Sequence, residues 1–108
     1  MNPQLTNLLY EWYPKIFNEH TRPESQMSDG FACGDGWFDL IDALCNLLQF
    51  DIDHNGMPQV VAKQVKEKFG RLRFHAFNRT DRQDGMILFA EAISERLCEV
   101  CGKFGKPH

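Results

Sequence analysis

Between Val60 and Asn78 the apolar residues begin to alternate: Val61, Val65 and Phe69 fall two or four apart, as do Leu72, Phe74 and Ala76. A period of two marks a half-buried strand, and Lys68-Phe69-Gly70-Arg71 supplies a turn between the two runs. The segment therefore reads as a hairpin over residues 59–78, with Arg71–Phe77 the clearer strand. Residues 59–68 are also compatible with a helix, because Gln, Lys and Glu are tolerant helix formers. A lone hairpin is marginal in water, so the rest of the chain has to cover it.

That cover is helical. Leu5, Leu8, Leu9, Trp12, Ile16 and Phe17 recur at three- and four-residue steps and predict a helix over residues 1–18. Pro3 suits its first turn, whereas Pro14 lacks an N–H and predicts a kink or break. The polar run from His20 to Gly30 reads as a loop. Trp37, Ile41, Leu44, Cys45 and Leu48 line one face of a helix over residues 36–52, with Asp35 placed to cap it and Asp39, Asp42, Asn46 and Gln49 on its wet side. After the connection Asp53-His54-Asn55-Gly56-Met57-Pro58, the steps of Met86, Phe89, Ala90, Ile93 and Leu97 mark a third helix over residues 85–97. The expected fold is α+β: one domain with three helices packed on a small antiparallel β-hairpin sheet, followed by a Cys-x-x-Cys tail over residues 98–108.

The 43% hydrophobic content and nine Phe supply enough apolar surface for a core and exclude a disordered chain. No stretch approaches the roughly 18 to 20 apolar residues of a membrane span. Met1-Asn2-Pro3-Gln4, soon followed by Glu11, lacks the charged-then-apolar order of a signal peptide, so a cytoplasmic setting is expected.

The net charge of −3 conceals a division. Residues 24–53 hold seven acids and no Lys or Arg, and residues 63–82 hold seven bases against two acids. The two blocks either pair with each other and with water, or one of them faces a charged partner. Asp35, Asp39 and Asp42, at steps of four and three, form a ridge on one helical face, which is either a solvated acidic face or a paired-carboxylate or hard-cation site. Lys66, Lys68, Arg71 and Arg73, interleaved with Phe69 and Phe74, have the composition that tracks a nucleic-acid backbone and stacks on its bases. Strand alternation, however, sends those rings inward, and the acidic balance opposes non-specific nucleic-acid binding.

Of the four cysteines, Cys45 lies within a helical apolar pattern, as a buried thiol would. Cys98-Glu99-Val100-Cys101-Gly102 has the spacing of a zinc knuckle. A structural zinc takes four ligands, for which His108 folding back, and then Cys33 or a second chain of a homodimer, are the candidates. Ordinary reduced thiols and a redox disulfide are the other readings of the pair. Cys33-Gly34-Asp35-Gly36-Trp37 is too short for a phosphate loop and has no Lys, so it reads as a helix cap with permissive glycines. The histidines at 20, 54, 75 and 108 have no close metal spacing, and no nucleophile constellation is present, so the chain is not expected to be an enzyme.

Taken in order, Cys33-Gly34-Asp35-Gly36-Trp37-Phe38-Asp39-Leu40-Ile41, Val65-Lys66-Glu67-Lys68-Phe69-Gly70-Arg71-Leu72-Arg73-Phe74, then Ala90-Glu91 and Ser94, and Cys98-Glu99-Val100-Cys101-Gly102 resemble a family of small bacteriophage and prophage proteins. The resemblance covers roughly residues 31–105. Longer relatives continue past the second Cys with a further Cys and His, in the manner of a zinc ribbon, where this sequence reaches only His108. The resemblance implies a phage accessory protein in the cytoplasm of a bacterial host, binding a host protein stoichiometrically. Such a protein would be an anti-CRISPR or other anti-defence inhibitor, presenting Asp35, Asp39 and Asp42 to a nucleic-acid-binding groove. The alternative is a zinc-stabilised nucleic-acid-binding or regulatory module that uses the basic hairpin.

Overall fold

Pro14 ends the first helix. In the computed structural model, which describes residues 1–105, α1 runs over Pro3–Trp12. The Asn2 side chain caps it by accepting from the Leu5 N–H at 2.9 Å. Ile16 and Phe17 still reach the core, but from the turn that follows rather than from the helix expected over residues 1–18. The polar loop contains two 3₁₀ turns, Asn18–Thr21 and Gln26–Asp29.

A third 3₁₀ turn, Asp35–Trp37, leads into α2, Phe38–Asn55, which lies further along the chain than the expected 36–52. Asp35 does not cap it. Its carboxylate accepts from the Asn2 backbone N–H at 2.7 Å and the Asn2 side-chain amide at 3.0 Å, tying the start of α1 to the entry of α2.

The hairpin is antiparallel, β1 Val61–Lys68 with β2 Arg71–Phe77, so residues 61–68 are strand and not helix. Val65 faces Phe74 and Glu67 faces Leu72, while a bulge between Ala62 and Gln64 accommodates Lys63. Val65, Leu72 and Phe74 are buried in one continuous core with Phe17, Trp37, Ile41 and Leu48.

Both edges of this sheet are partly covered, which leaves fewer exposed N–H and C=O groups to invite pairing with other chains. Beside β1, the Ala32 N–H donates to the Val65 carbonyl at 3.0 Å and the Glu67 N–H donates to the Ala32 carbonyl at 2.8 Å. Further along, the Ala62 N–H donates to the Ile16 carbonyl at 2.7 Å. Beside β2 lies a helix. From α3, Asp81–Ser94, Ser94 Oγ accepts from the Leu72 N–H at 2.8 Å, and Glu91 Oε2 accepts from the Phe74 N–H at 2.9 Å.

This edge contact decides how α3 is turned. Gln83, Glu91 and Ser94 share its buried side with Ile87 and Ala90, whereas Met86 and Ile93 are half-buried and Phe89 is exposed. The helix also starts before the expected 85–97, because Thr80 and Gln83 cap it reciprocally. The Gln83 N–H donates to Thr80 Oγ1 at 3.3 Å and the Thr80 N–H to Gln83 Oε1 at 3.0 Å.

Candidate functional site

The outer face of the hairpin gathers the basic residues. Strand parity puts Arg71, Arg73, His75 and Phe77 on the side opposite Leu72 and Phe74, and pairs Lys66 with Arg73 and Lys68 with Arg71 across the strands. Like charges directly opposite one another on a sheet are destabilising. Of these four, only Arg71 has an acidic partner among the described residues, Glu95 at 3.2 Å. The Nε–H groups of Arg71 and Arg73 are buried and meet no acceptor among the described residues. His75 stands in this field: partial burial and then Lys66 push its imidazole below the ordinary range, Arg79 and Arg73 add to the shift, and Glu91 opposes it.

Aromatic rings stand at both ends of the face. Phe69, in the turn at a φ of 55°, is 90% exposed, and the Lys68 ammonium sits 5.7 Å from its ring centroid. Phe77 is 47% exposed, with Lys63 at 5.5 Å from its ring. The sequence expectation that both Phe69 and Phe74 point inward thus holds for Phe74 only. The turn lifts Phe69 out of the strand alternation.

The acid ridge is differently disposed. Asp35, though exposed, is engaged by Asn2, half-buried Asp42 accepts from the Tyr13 hydroxyl, and Asp39 is exposed. Burial, followed by the Asp42 contact, drives the Tyr13 phenol well above its usual range. Nor do the two charge blocks pair broadly with each other: Arg82 with Asp51 at 3.4 Å joins them, while Arg71 and Arg79 pair with Glu95 and Asp84 on or next to α3.

The Cys-x-x-Cys segment forms a compact turn docked on the Cys33–Trp37 loop. The Cys98 N–H donates to the Lys103 carbonyl at 2.8 Å, and the Gly102 N–H, at a φ of 78°, donates to the Cys98 carbonyl at 2.7 Å. The Gly36 N–H donates to the Glu99 carbonyl at 2.6 Å, the Gly34 N–H to Glu99 Oε2 at 2.9 Å, and the Trp37 indole to the Leu97 carbonyl at 3.1 Å. The two glycines thus serve the docking of this turn. Burial would raise the Cys98 thiol, but N–H donors from Cys101, Val100 and Gly102, together with the Cys101 side chain, outweigh it and hold the group below the usual thiol range.

Two thiols of one turn make half of a zinc site. Among the described residues no third His, Cys, Asp or Glu joins them, so Cys33 is not brought to the pair, and His108 lies outside the described residues. Burial pushes the Cys33 thiol up to about 12, with the nearby amino terminus opposing the shift, and holds Cys45 well above the usual range. Alkylation of the native protein with iodoacetamide is accordingly expected to modify the exposed Cys101 and spare Cys33 and Cys45 until denaturant is added. Peptide mass spectrometry reads this directly, and early modification of Cys45 would contradict its burial.

No protein-family model, no curated protein and no solved structure matches this chain.

Proposed function

We propose that this chain is a module that binds single-stranded nucleic acid, laying the phosphate backbone along the outer face of the hairpin and stacking bases on Phe69 and Phe77. The observation that carries this reading is the facing of Lys66 with Arg73 and of Lys68 with Arg71. Such pairs cost the free protein stability, and a polyanion relieves them. Exposed rings at each end offer sequence-tolerant stacking, since every base has a π-face.

The test is fluorescence anisotropy with labelled single-stranded DNA and RNA. Affinity should fall steeply with salt, with a log–log slope of roughly −0.7 for each phosphate neutralised. Lys66→Glu combined with Arg73→Glu exchanges one like-charge pair for another, so binding should vanish while the melting temperature changes little. Phe69→Ala, at a ring that contributes nothing to the core, should weaken binding by roughly 5- to 150-fold, the equivalent of about 1–3 kcal/mol of stacking. Binding that survives both variants, or that ignores salt, rejects the reading.

A phage accessory inhibitor presenting Asp35, Asp39 and Asp42 to a host protein would demand the opposite charges. For that reading, Asp35→Lys with Asp39→Lys and Asp42→Lys abolishes partner binding and the hairpin variant does not. Two of those carboxylates already serve Asn2 and Tyr13, and for that reason the hairpin is the better supported surface.

A further inference from the structure

The side of α3 turned away from the hairpin is continuous with an unpartnered side of α2. On α2, Leu40, Ala43, Leu47 and Phe50 succeed one another at steps of three, four and three residues. On α3, Met86, Phe89 and Ile93 do so at steps of three and four. This is the spacing of a seam between packed helices. The two seams lie side by side, and Leu40, Leu47, Met86, Phe89 and Ile93 line one apolar groove. Leu47, Phe50 and Phe89 are 50%, 56% and 69% exposed, and large apolar side chains grouped in this way mark an interaction surface.

The charges around the groove say what covers it. The two helices run antiparallel, because Arg82 at the start of α3 pairs with Asp51 near the end of α2. At the other end stand Asp39 on α2 and Arg96 just beyond α3, both exposed and neither in an ion pair among the described residues. One rim thus offers an unpaired acid and the other an unpaired base.

We propose that this face is the interface of a symmetric dimer with a second copy of the chain, its two-fold axis parallel to the helices. That axis lays α2 over the partner's α3 with like ends together, so that Asp39 meets the partner's Arg96 on both sides of the dimer and Leu47 packs against the partner's Phe89. A two-fold axis across the helices would instead lay α3 on α3 and bring Arg82 over the partner's Arg96, base against base. The face complements itself in the first arrangement and repels itself in the second. The interface shares no residue with the basic face of the hairpin, so it stands independently of the nucleic-acid reading.

Sedimentation velocity of the intact protein over a concentration series tests the proposal. The wild type should show a monomer–dimer equilibrium, and Phe89→Glu should be monomeric throughout with an unchanged far-UV circular dichroism spectrum. Asp39→Arg and Arg96→Asp should each weaken the dimer by roughly tenfold or more, and the two together should restore it; this pair decides the matter even if Phe89→Glu fails to fold. A wild type that stays monomeric to concentrations on the order of a millimolar overturns the proposal, as does a dimer untouched by Phe89→Glu. Single charge changes that the double variant does not rescue overturn the axis.

Discussion

Phe74→Ala is expected to remove about 3–5 kcal/mol of stability, set against a total of about 5–15 kcal/mol for a domain of ordinary stability. The ring is 1% exposed and lies opposite Val65, within the same core as Trp37 and Ile41. Its backbone N–H is held by Glu91, so the vacated space is lined by a strand pinned on both sides, which limits how far the cavity can collapse. Urea denaturation followed by circular dichroism should show a large drop in midpoint with an unchanged slope. An unchanged midpoint would mean that the ring lies outside the core and is free to stack on a ligand.

Gly36→Ala should have the second largest effect, and a local one. A Cβ on Gly36 would stand 2.5 Å from the Gly102 nitrogen and 2.7 Å from the Glu99 carbonyl carbon, and closer still to the Cys98 carbonyl oxygen. All three are backbone atoms, which cannot rotate aside as a flexible side chain can. Either the Asp35–Trp37 turn or the cysteine turn has to move, at about 1–3 kcal/mol by analogy with overpacked cores. The Glu99 carbonyl would lose the Gly36 N–H and the Leu97 carbonyl would be drawn away from the Trp37 indole. Thiol labelling distinguishes this from global unfolding: Cys98 should become reactive at denaturant concentrations where Cys45 is still protected. Wild-type stability together with wild-type protection of Cys98 would show that the glycine is dispensable.

The hairpin was legible in the sequence because its period of two is local, and α2 because its apolar face is broad and unbroken. The boundaries were harder for reasons tied to particular residues. Pro14 announced a break, but Ile16 and Phe17 kept helical spacing after it because the following turn carries them to the same core. The start of α3 was written in Thr80 and Gln83, whose reciprocal cap is a recognisable pattern. Its orientation was not, since Glu91 and Ser94 are buried to satisfy the N–H groups of a strand some 20 residues away. A periodicity argument sends apolar residues inward and has no means of knowing that an edge needs acceptors. At the candidate site, the four bases were visible as a cluster, but the exposure of Phe69 depends on a left-handed backbone angle in the turn. The engagement of Asp35 and Asp42 depends on partners, Asn2 and Tyr13, that lie about 30 residues away along the chain.

The docking of the cysteine turn on the Cys33–Trp37 loop bears on the order in which the molecule is assembled. Gly34 and Glu99 are 65 residues apart in sequence and Trp37 and Leu97 are 60 apart. Closing so long a loop costs chain entropy before its few hydrogen bonds can form. The core that holds Trp37 in place is therefore expected to condense before the turn settles onto it, an order that thiol labelling of Cys98 during refolding would check. During synthesis, a nascent chain can pair its strands and bury Phe74 while Gly34 and Gly36 still lack a partner. The two glycines acquire their purpose only when Gly102 has cleared the ribosome.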